Sequence, residues 1–387
     1  MEERFDLLQE NSQAISKAKK AIAIGFATQG LGYATVMTAL PTIKNRFKLS
    51  DDQLSIIILG VCIAAALGSI MADRIAVKLG SRIAIIIGFI LEAIGMLCAT
   101  LGNQTYVMVI SFLIYGLGLG CLDAALNMQA VMVEQKLGES VLGGFFACYT
   151  AAAFIGALIM SATVSTQLGA TAALCIAVCM ALIASHVSRL WLFHSKETAA
   201  LNPQTKQPIQ KKQLWTFGFI IFIAFTVDSA ISTWSSIYLK DVLASSSTVA
   251  PLGYAAYQVG ILMTRLSLDY ILKFKTTSWL AVITILIGAV GCALAGIGHS
   301  LTVVITGFAL AGVAVGALVP LTFSAAGKLD ENRRDEIIAR VNIFNYGGAV
   351  AGAVVVGLLA TPIGYGPSFI TLALSLLCIL YFRRKFV

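Results

Sequence analysis

The chain has 387 residues, of which 58% are apolar and 12% charged, with 27 lysines and arginines against 19 acids and a formal net charge of +8. A soluble domain carries roughly 25% charged residues, so about half the usual solubilising surface is missing. That excludes a soluble enzyme, a nucleic-acid binder and a disulfide-stapled secreted domain, and leaves a polytopic, all-α membrane protein.

The apolar residues fall in twelve blocks, at about 20–43, 54–72, 83–101, 105–133, 141–165, 170–192, 214–238, 249–272, 278–297, 301–325, 337–359 and 367–382. A helix rising ~1.5 Å per residue needs ~20 residues to cross ~30 Å of hydrocarbon, so twelve transmembrane helices are predicted. The tail before the first block is polar and acidic ahead of its lysines, unlike a signal peptide. Span one carries Gln29 and Tyr33 but no carboxylate, span three carries Glu92, and span four carries Asp123 with Asn127 four residues on. Span five contains Tyr149 and no proline. The longest polar break lies at the midpoint and holds Pro203, Pro208, Lys196, Lys206, Lys211 and Lys212. It divides the chain into two six-helix bundles, 1–192 and 214–387, joined by a linker at 193–213. Span seven has Asp228 followed by Ser232, Thr233 and Trp234; span eight has Tyr257 and Gln258; span ten has Pro320; span eleven has Asn342, Asn345 and Tyr346.

Placement of the basic residues orients the spans. With the N-terminus in the cytoplasm, 23 of the 27 fall on the cytoplasmic side, and only Lys44, Arg46, Lys48 and Lys240 fall outside. Both termini are therefore expected in the cytoplasm, and the net charge marks a membrane rim rather than a nucleic-acid surface. Trp191, Trp215 and Trp279 sit at cytoplasmic span ends, where amphipathic rings collect. The eight cysteines all lie inside spans as packing residues, and the three histidines pair with no second ligand, so neither a metal nor any other cofactor is expected.

Spans four and ten repeat one another. Phe112, Gly116 and Gly120 match Phe308, Gly312 and Gly316 at an offset of 196 residues, half the chain. Duplicated halves place a substrate site near mid-membrane. Glycines four apart there, and at Gly348 and Gly352, allow close helix approach.

An ionised group at the bilayer centre costs at least ~2.5–3.5 kcal/mol on insertion scales. Glu92, Asp123 and Asp228 are the three acids placed there, with no lysine or arginine at that depth to pair with. Carboxyls in such surroundings can load and release protons near neutral pH, which makes these three the candidates for proton coupling. Each could instead be an interhelical hydrogen bond. Asp123 and Asn127 share a helix face as an acceptor–donor pair for hydroxyls. Gln29, Tyr33, Tyr149, Trp234, Tyr257, Gln258, Asn342, Asn345 and Tyr346 could line the same cavity by stacking and amide hydrogen bonding.

The whole chain resembles the major facilitator superfamily in its two six-helix halves, basic central loop and charges after spans two and eight. SIMADRIAVKLGSR resembles the superfamily's cytoplasmic gate motif, with Ser69 in place of its first glycine, and GILMTRLSLDY occupies the matching end of span eight. The resemblance implies gating roles for Asp73, Arg74, Arg265 and Asp269. GLGLGCLDAALNMQ is similar to the fucose-permease-like branch; LDAALNMQAVMVEQKLG, DSAISTWSSIYL and ALVPLTFSAAGK are closer still to bacterial inner-membrane proteins of that neighbourhood with mostly unassigned substrates. This implies a monomeric cell inner membrane carrier that moves a small-molecule substrate with protons by alternating access. In sugar-carrying relatives the span-four acid couples protons, a role that falls here on Asp123. Their span-one acid is missing, so sugar, carboxylate, chelate and drug substrates all stay open. Drug–proton antiporters usually carry a glycine–proline motif in span five, so symport-type uptake is favoured and antiport export is the alternative. No P-loop is present.

Overall fold

The computed structural model describes residues 2–138, 141–193, 211–329 and 334–386. Among these residues twelve α-helices follow one another: α1 (Glu2–Phe47), α2 (Asp51–Leu79), α3 (Ser81–Leu101), α4 (Thr105–Leu137), α5 (Leu142–Thr163), α6 (Ala170–Trp191), α7 (Lys211–Asp241), α8 (Pro251–Leu272), α9 (Thr277–Ile297), α10 (Leu301–Gly327), α11 (Arg334–Ile363) and α12 (Tyr365–Cys378). A short 3-10 helix, Ile379–Phe386, follows. Residues 194–210 of the expected linker lie outside the described residues.

Among the described residues, ten spans are long and apolar enough to cross a membrane, the last of them, Tyr365–Arg383, being α12 with most of the 3-10 helix that follows it; α1 and α8 are long enough but too polar. The twelve-helix count holds, yet apolarity alone identifies ten. The physical reason is burial: α1 carries Thr28, Gln29, Thr35 and Thr38, and α8 carries Tyr254, Tyr257, Gln258 and Thr264, every one of them buried in protein. A helix surrounded by other helices need not be apolar on its packed face.

The outward faces show the reverse. On α2, Ile56, Ile63, Leu67 and Ile70 are exposed, and on α3 so are Ile90, Ile94, Leu97 and Leu101. Both sets recur at helical spacing. Apolar stripes of this kind on membrane-spanning helices suit contact with lipid.

Short turns join the helices. The α1–α2 turn is a capping box in which Ser50 N–H donates to Gln53 Oε1 (3.0 Å) and Gln53 N–H donates to Ser50 Oγ (3.2 Å). Asp51 and Asp52 then sit in the first turn of α2, where the helix dipole favours acids. α9 and α10 start on Thr276 and Ser300, whose hydroxyls accept from the N–H groups of Trp279 and Val303. α4 ends on Gly138 at φ 68°, a left-handed position that a glycine adopts without steric cost.

The chain groups into two compact units: residues 1–36, 60–156 and 168–202 form one, and residues 37–59, 157–167 and 203–387 the other. In the first unit α3 packs against both α4 and α6. Its buried stripe is Gly88, Glu92, Gly95 and Ala99, small residues with one acid among them. Phe26 of α1 stacks on Phe145 of α5 at 5.8 Å. In the second unit α7 packs on α11, and α10 on both α8 and α9. Its core holds Tyr238, Phe308, Tyr365 and Phe369 in mutual ring contact.

The 196-residue repeat extends into the packing. A methyl group added at Gly116 would lie 2.6 Å from the Val61 carbonyl oxygen, and one at Gly120 would clash with that of Ala65. Their counterparts Gly312 and Gly316 press on the carbonyls of Tyr257 and Ile261, which are Val61 and Ala65 shifted by the same offset. Gly95 against Ser111 and Tyr115 repeats as Gly291 against Gly307 and Ala311. Equivalent helices therefore cross at equivalent points in the two units, as small-residue interfaces allow when lipid supplies no hydrophobic drive.

Candidate functional site

In the first unit, α4 carries Asp123 and Asn127 on one face, both half-buried. They do not pair through their side chains. Asn127 Nδ2 donates to the main-chain carbonyl of Asp123 at 2.7 Å, one turn back along its own helix. The Asp123 carboxyl has no hydrogen bond or ion pair among the described residues. A polar solute would thus meet a carboxyl with both oxygens available. Gln29 on α1 is buried with Oε1 unpartnered, and Tyr33 on α1 and Tyr149 on α5 are half-buried. Gly30 of α1 lies directly against the Tyr149 backbone, which fixes α1 to α5 beside these rings. Glu92 is 1% exposed and neither oxygen has a partner among the described residues.

In the second unit, Tyr257 Oη donates to Asp228 Oδ1 at 2.7 Å, joining α8 to α7. Arg265, two turns further along α8, is within electrostatic reach of the same carboxyl. Asp228 therefore has a cation within electrostatic reach, although the guanidinium sits at a span end and not at mid-span, on the helix that packs against α7. Gln258 Nε2 donates to Tyr254 Oη at 2.5 Å. On α11, Asn345 Nδ2 donates to Asn342 Oδ1 at 3.4 Å, with Tyr346 half-buried beside them. Trp234 is fully buried, with Nε1 donating to the Ala353 carbonyl at 2.8 Å and its ring against Tyr365. In this arrangement Trp234 is core, and a solute could stack on it only after the packing opened.

Asp73 and Arg74 are exposed and make no ion pair with a described residue. Ser69, which stands at the first glycine of the gate motif, donates to the Gly120 carbonyl at 3.1 Å. Arg265 and Asp269 are the 196-residue counterparts of Ser69 and Asp73. The Asp269 side chain lies outside the described residues.

Sequence reading missed one ionic cluster in the second unit. Lys44 Nζ lies 2.6 Å from Asp51 Oδ1 and 2.5 Å from Asp241 Oδ2, tying the ends of α1 and α7 to the start of α2. Thr361 on α11 donates to Asp52 at 2.8 Å beside it, and Ser161 on α5 donates to the Thr248 carbonyl at 2.5 Å. Burial lowers the affinity of Lys44 for its proton, but the two carboxylates outweigh it and hold the ammonium above the ordinary lysine range. The available signal was that Lys44 is one of only four basic residues that the lysine and arginine count assigns to the outer side. Also missed were Ser235 and Ser236 of α7, which with Ser232 are buried hydroxyls without a partner among the described residues on the helix of Asp228.

With this geometry in view, comparison with known proteins becomes informative. A profile of the Major Facilitator Superfamily matches residues 22–329, most of the chain. The chain belongs to the major facilitator superfamily. An uncharacterized MFS-type transporter of Yersinia pestis is 26% identical over 361 residues, covering 92% of each chain. Membrane protein MosC of Rhizobium meliloti is 24% identical over 349 residues, covering 89% of this chain and 84% of its own. Among solved structures, a point mutant of the nucleoside transporter NupG superposes with a TM-score of 0.77 at 14% identity, over 95% of this chain and 99% of that one. The major facilitator transporter FucP in its outward conformation gives 0.67 at 15% identity, over 95% and 98%. At these identities the structures establish the fold alone. Membership makes the chain a multi-pass membrane transporter of small molecules and not an enzyme.

Proposed function

We propose that this major facilitator protein is a proton-coupled secondary transporter that takes up a small polar solute across the bacterial inner membrane. Its two functional halves are 1–192 and 214–387, it works as a monomer, and both termini are cytoplasmic. The observation that carries the reading is the Asp123 carboxyl: within a membrane span, half-buried, with neither a cation nor a hydrogen-bond donor to hold it among the described residues. A carboxyl at that depth is costly, and one without a structural partner earns its place by binding a proton or a solute. Asp228, held by Tyr257 and near Arg265, is the second coupling acid, and Glu92 the third. Asn127, Gln29, Tyr33, Tyr149, Gln258, Asn342, Asn345 and Tyr346 supply polar contacts. Asp73, Arg74, Arg265 and Asp269 act at the cytoplasmic gate.

The test is uptake into proteoliposomes. Labelled sugars, nucleosides, carboxylates and drug-like amines are screened by counterflow, then driven by an inward or an outward proton gradient. Accumulation with protons moving inward supports symport; accumulation against an opposing proton flux assigns antiport. Asp123→Asn should abolish gradient-driven accumulation, because an amide cannot cycle a proton. Unchanged accumulation in that variant would overturn the assignment.

A further inference from the structure

Glu92 differs from the other two acids in being wholly enclosed. It sits on the small-residue stripe of α3, 1% exposed, with both carboxyl oxygens unpartnered among the described residues. Gly118 of α4 lies against its backbone and Cγ, and Gly32 of α1 faces Oε2, so that a methyl added at Gly32 would be 3.9 Å from that oxygen. The same face of α1, marked by Gly25 against Leu126 and Gly32 against Glu92, carries Thr28 and Gln29 on either side of it. Thr28 Oγ1 and Gln29 Oε1 are likewise buried without partners. Orphaned oxygens thus lie on α3 at Glu92 and on the α1 face that packs there, and no ion pair reaches Glu92 among the described residues.

The crossing does not need an acid to pack. At the equivalent point of the second unit Gly288 takes the place of Glu92 and packs directly on Ala314, the counterpart of Gly118. Nor is a metal ion a good occupant: Met96 Sδ and Cε line the same spot, and a hard cation wants oxygens all round. From α4 the titratable neighbours are Cys121, whose thiol already donates to the Ala84 carbonyl at 3.3 Å, and Tyr115. α1 contributes no charge there, and on α6 Cys175, Cys179, His186 and Arg189 are exposed, away from the packed interior.

We propose that Glu92 is an occluded proton-binding site, held as the neutral acid in the α1–α3–α4 crossing and able to exchange its proton only when α1 withdraws from α3. Withdrawal admits water, which takes the proton as hydronium and leaves the carboxylate; closure readmits only the reprotonated acid. This rests on the proton-coupled reading above, but its first test does not depend on transport.

Infrared difference spectroscopy of the reconstituted full-length protein in light and heavy water reads protonated carboxyls directly. The expected result at neutral pH is an acid carbonyl band that is lost in Glu92→Gln, kept in Asp123→Asn, and slower to shift in heavy water than any band assigned to Asp123. Glu92→Gln should also fold with unchanged thermal stability, since one neutral group replaces another, and should lose proton-driven accumulation. Absence of a Glu92-dependent band would overturn the proposal, as would fast exchange or accumulation equal to wild type. Sodium chloride that stabilises wild type but not Glu92→Gln, against a choline chloride control, would reassign the site to sodium. If wild type shows the band and no proton-driven flux, the site stands and the transport reading fails.

Discussion

Alanine at Gly116 should destabilise the protein, whereas alanine at Gly144 should not. In an ordinary helix interior glycine-to-alanine gains about 0.5–1 kcal/mol, because glycine loses more backbone entropy on folding. Gly144, in α5, has nothing within 4 Å of where a methyl would go, so that gain should appear there nearly in full. At Gly116 the methyl would lie 2.6 Å from the Val61 carbonyl oxygen and 3.0 Å from Ala64 Cβ. Backbone cannot swing aside as a flexible side chain can, so α2 and α4 must separate, and overpacking of this kind costs about 1–3 kcal/mol. The two variants should therefore differ by about 1–3 kcal/mol in stability. Gly316→Ala should fall between them, its nearest oxygen being Ile261 O at 2.9 Å. Thermal unfolding of the purified protein, followed by thiol-reactive dye or tryptophan fluorescence, should show melting temperatures falling from Gly144→Ala through Gly316→Ala to Gly116→Ala. Equal melting of Gly116→Ala and Gly144→Ala would refute the close crossing and, with it, the packing basis of the repeat.

Tyr257→Phe removes the 2.7 Å hydrogen bond to Asp228 and should cost about 1.5–3 kcal/mol, the range for a bond to a charged group. A double-mutant cycle with Asp228→Asn should show coupling, and strict additivity would show the bond to be idle. Lys44→Met should lower stability by about 1–3 kcal/mol, between exposed and buried ion pairs, because its side chain and those of Asp51 and Asp241 are 13%, 21% and 26% exposed. Because the two carboxylates raise the proton affinity of Lys44 above its ordinary value, its contribution is complete below the ordinary lysine pKa and is lost as pH rises through the raised one. Wild type should thus show an alkaline loss of stability that Lys44→Met lacks. Trp234→Phe should cost about 1–3 kcal/mol through the Ala353 carbonyl it leaves unbonded, and a variant as stable as wild type would return Trp234 to the cavity wall.

Helix number and extent were legible because each span must satisfy its backbone internally and match the hydrocarbon in length, both of which are local properties. Blocks at 83–101 and 278–297 correspond to α3 at Ser81–Leu101 and α9 at Thr277–Ile297. The polarity of α1 and α8, a weakness in a hydropathy count, reflects Gln29 and Gln258 turned into protein. The repeat was visible at three matched pairs in one helix, and the packing carries the same offset through α2, α3, α4, α8, α9 and α10.

What a site residue does with its hydrogen bonds was not legible. Asn127, one turn on from Asp123, reads as its donor partner for a solute's hydroxyls; that its amide also reaches the Asp123 backbone carbonyl is not visible in the spacing. Trp234 next to Asp228 reads as a stacking wall, but it is core. Tyr257 and Asp228 are 29 residues apart, and Lys44 and Asp241 are 197 apart; nothing local to either pair points to the other.

The sequence by itself determined that this is a twelve-helix membrane protein with two related halves, because transfer of apolar surface and backbone out of water acts segment by segment. Only the tertiary structure decided which acids have partners. Helix crossings set by a handful of glycines give Asp228 a tyrosine, leave Asp123 open, and seal Glu92 away from water. Those differences arise from contacts a few ångströms long between residues far apart in the chain, and they separate three carboxyls that look alike in the sequence.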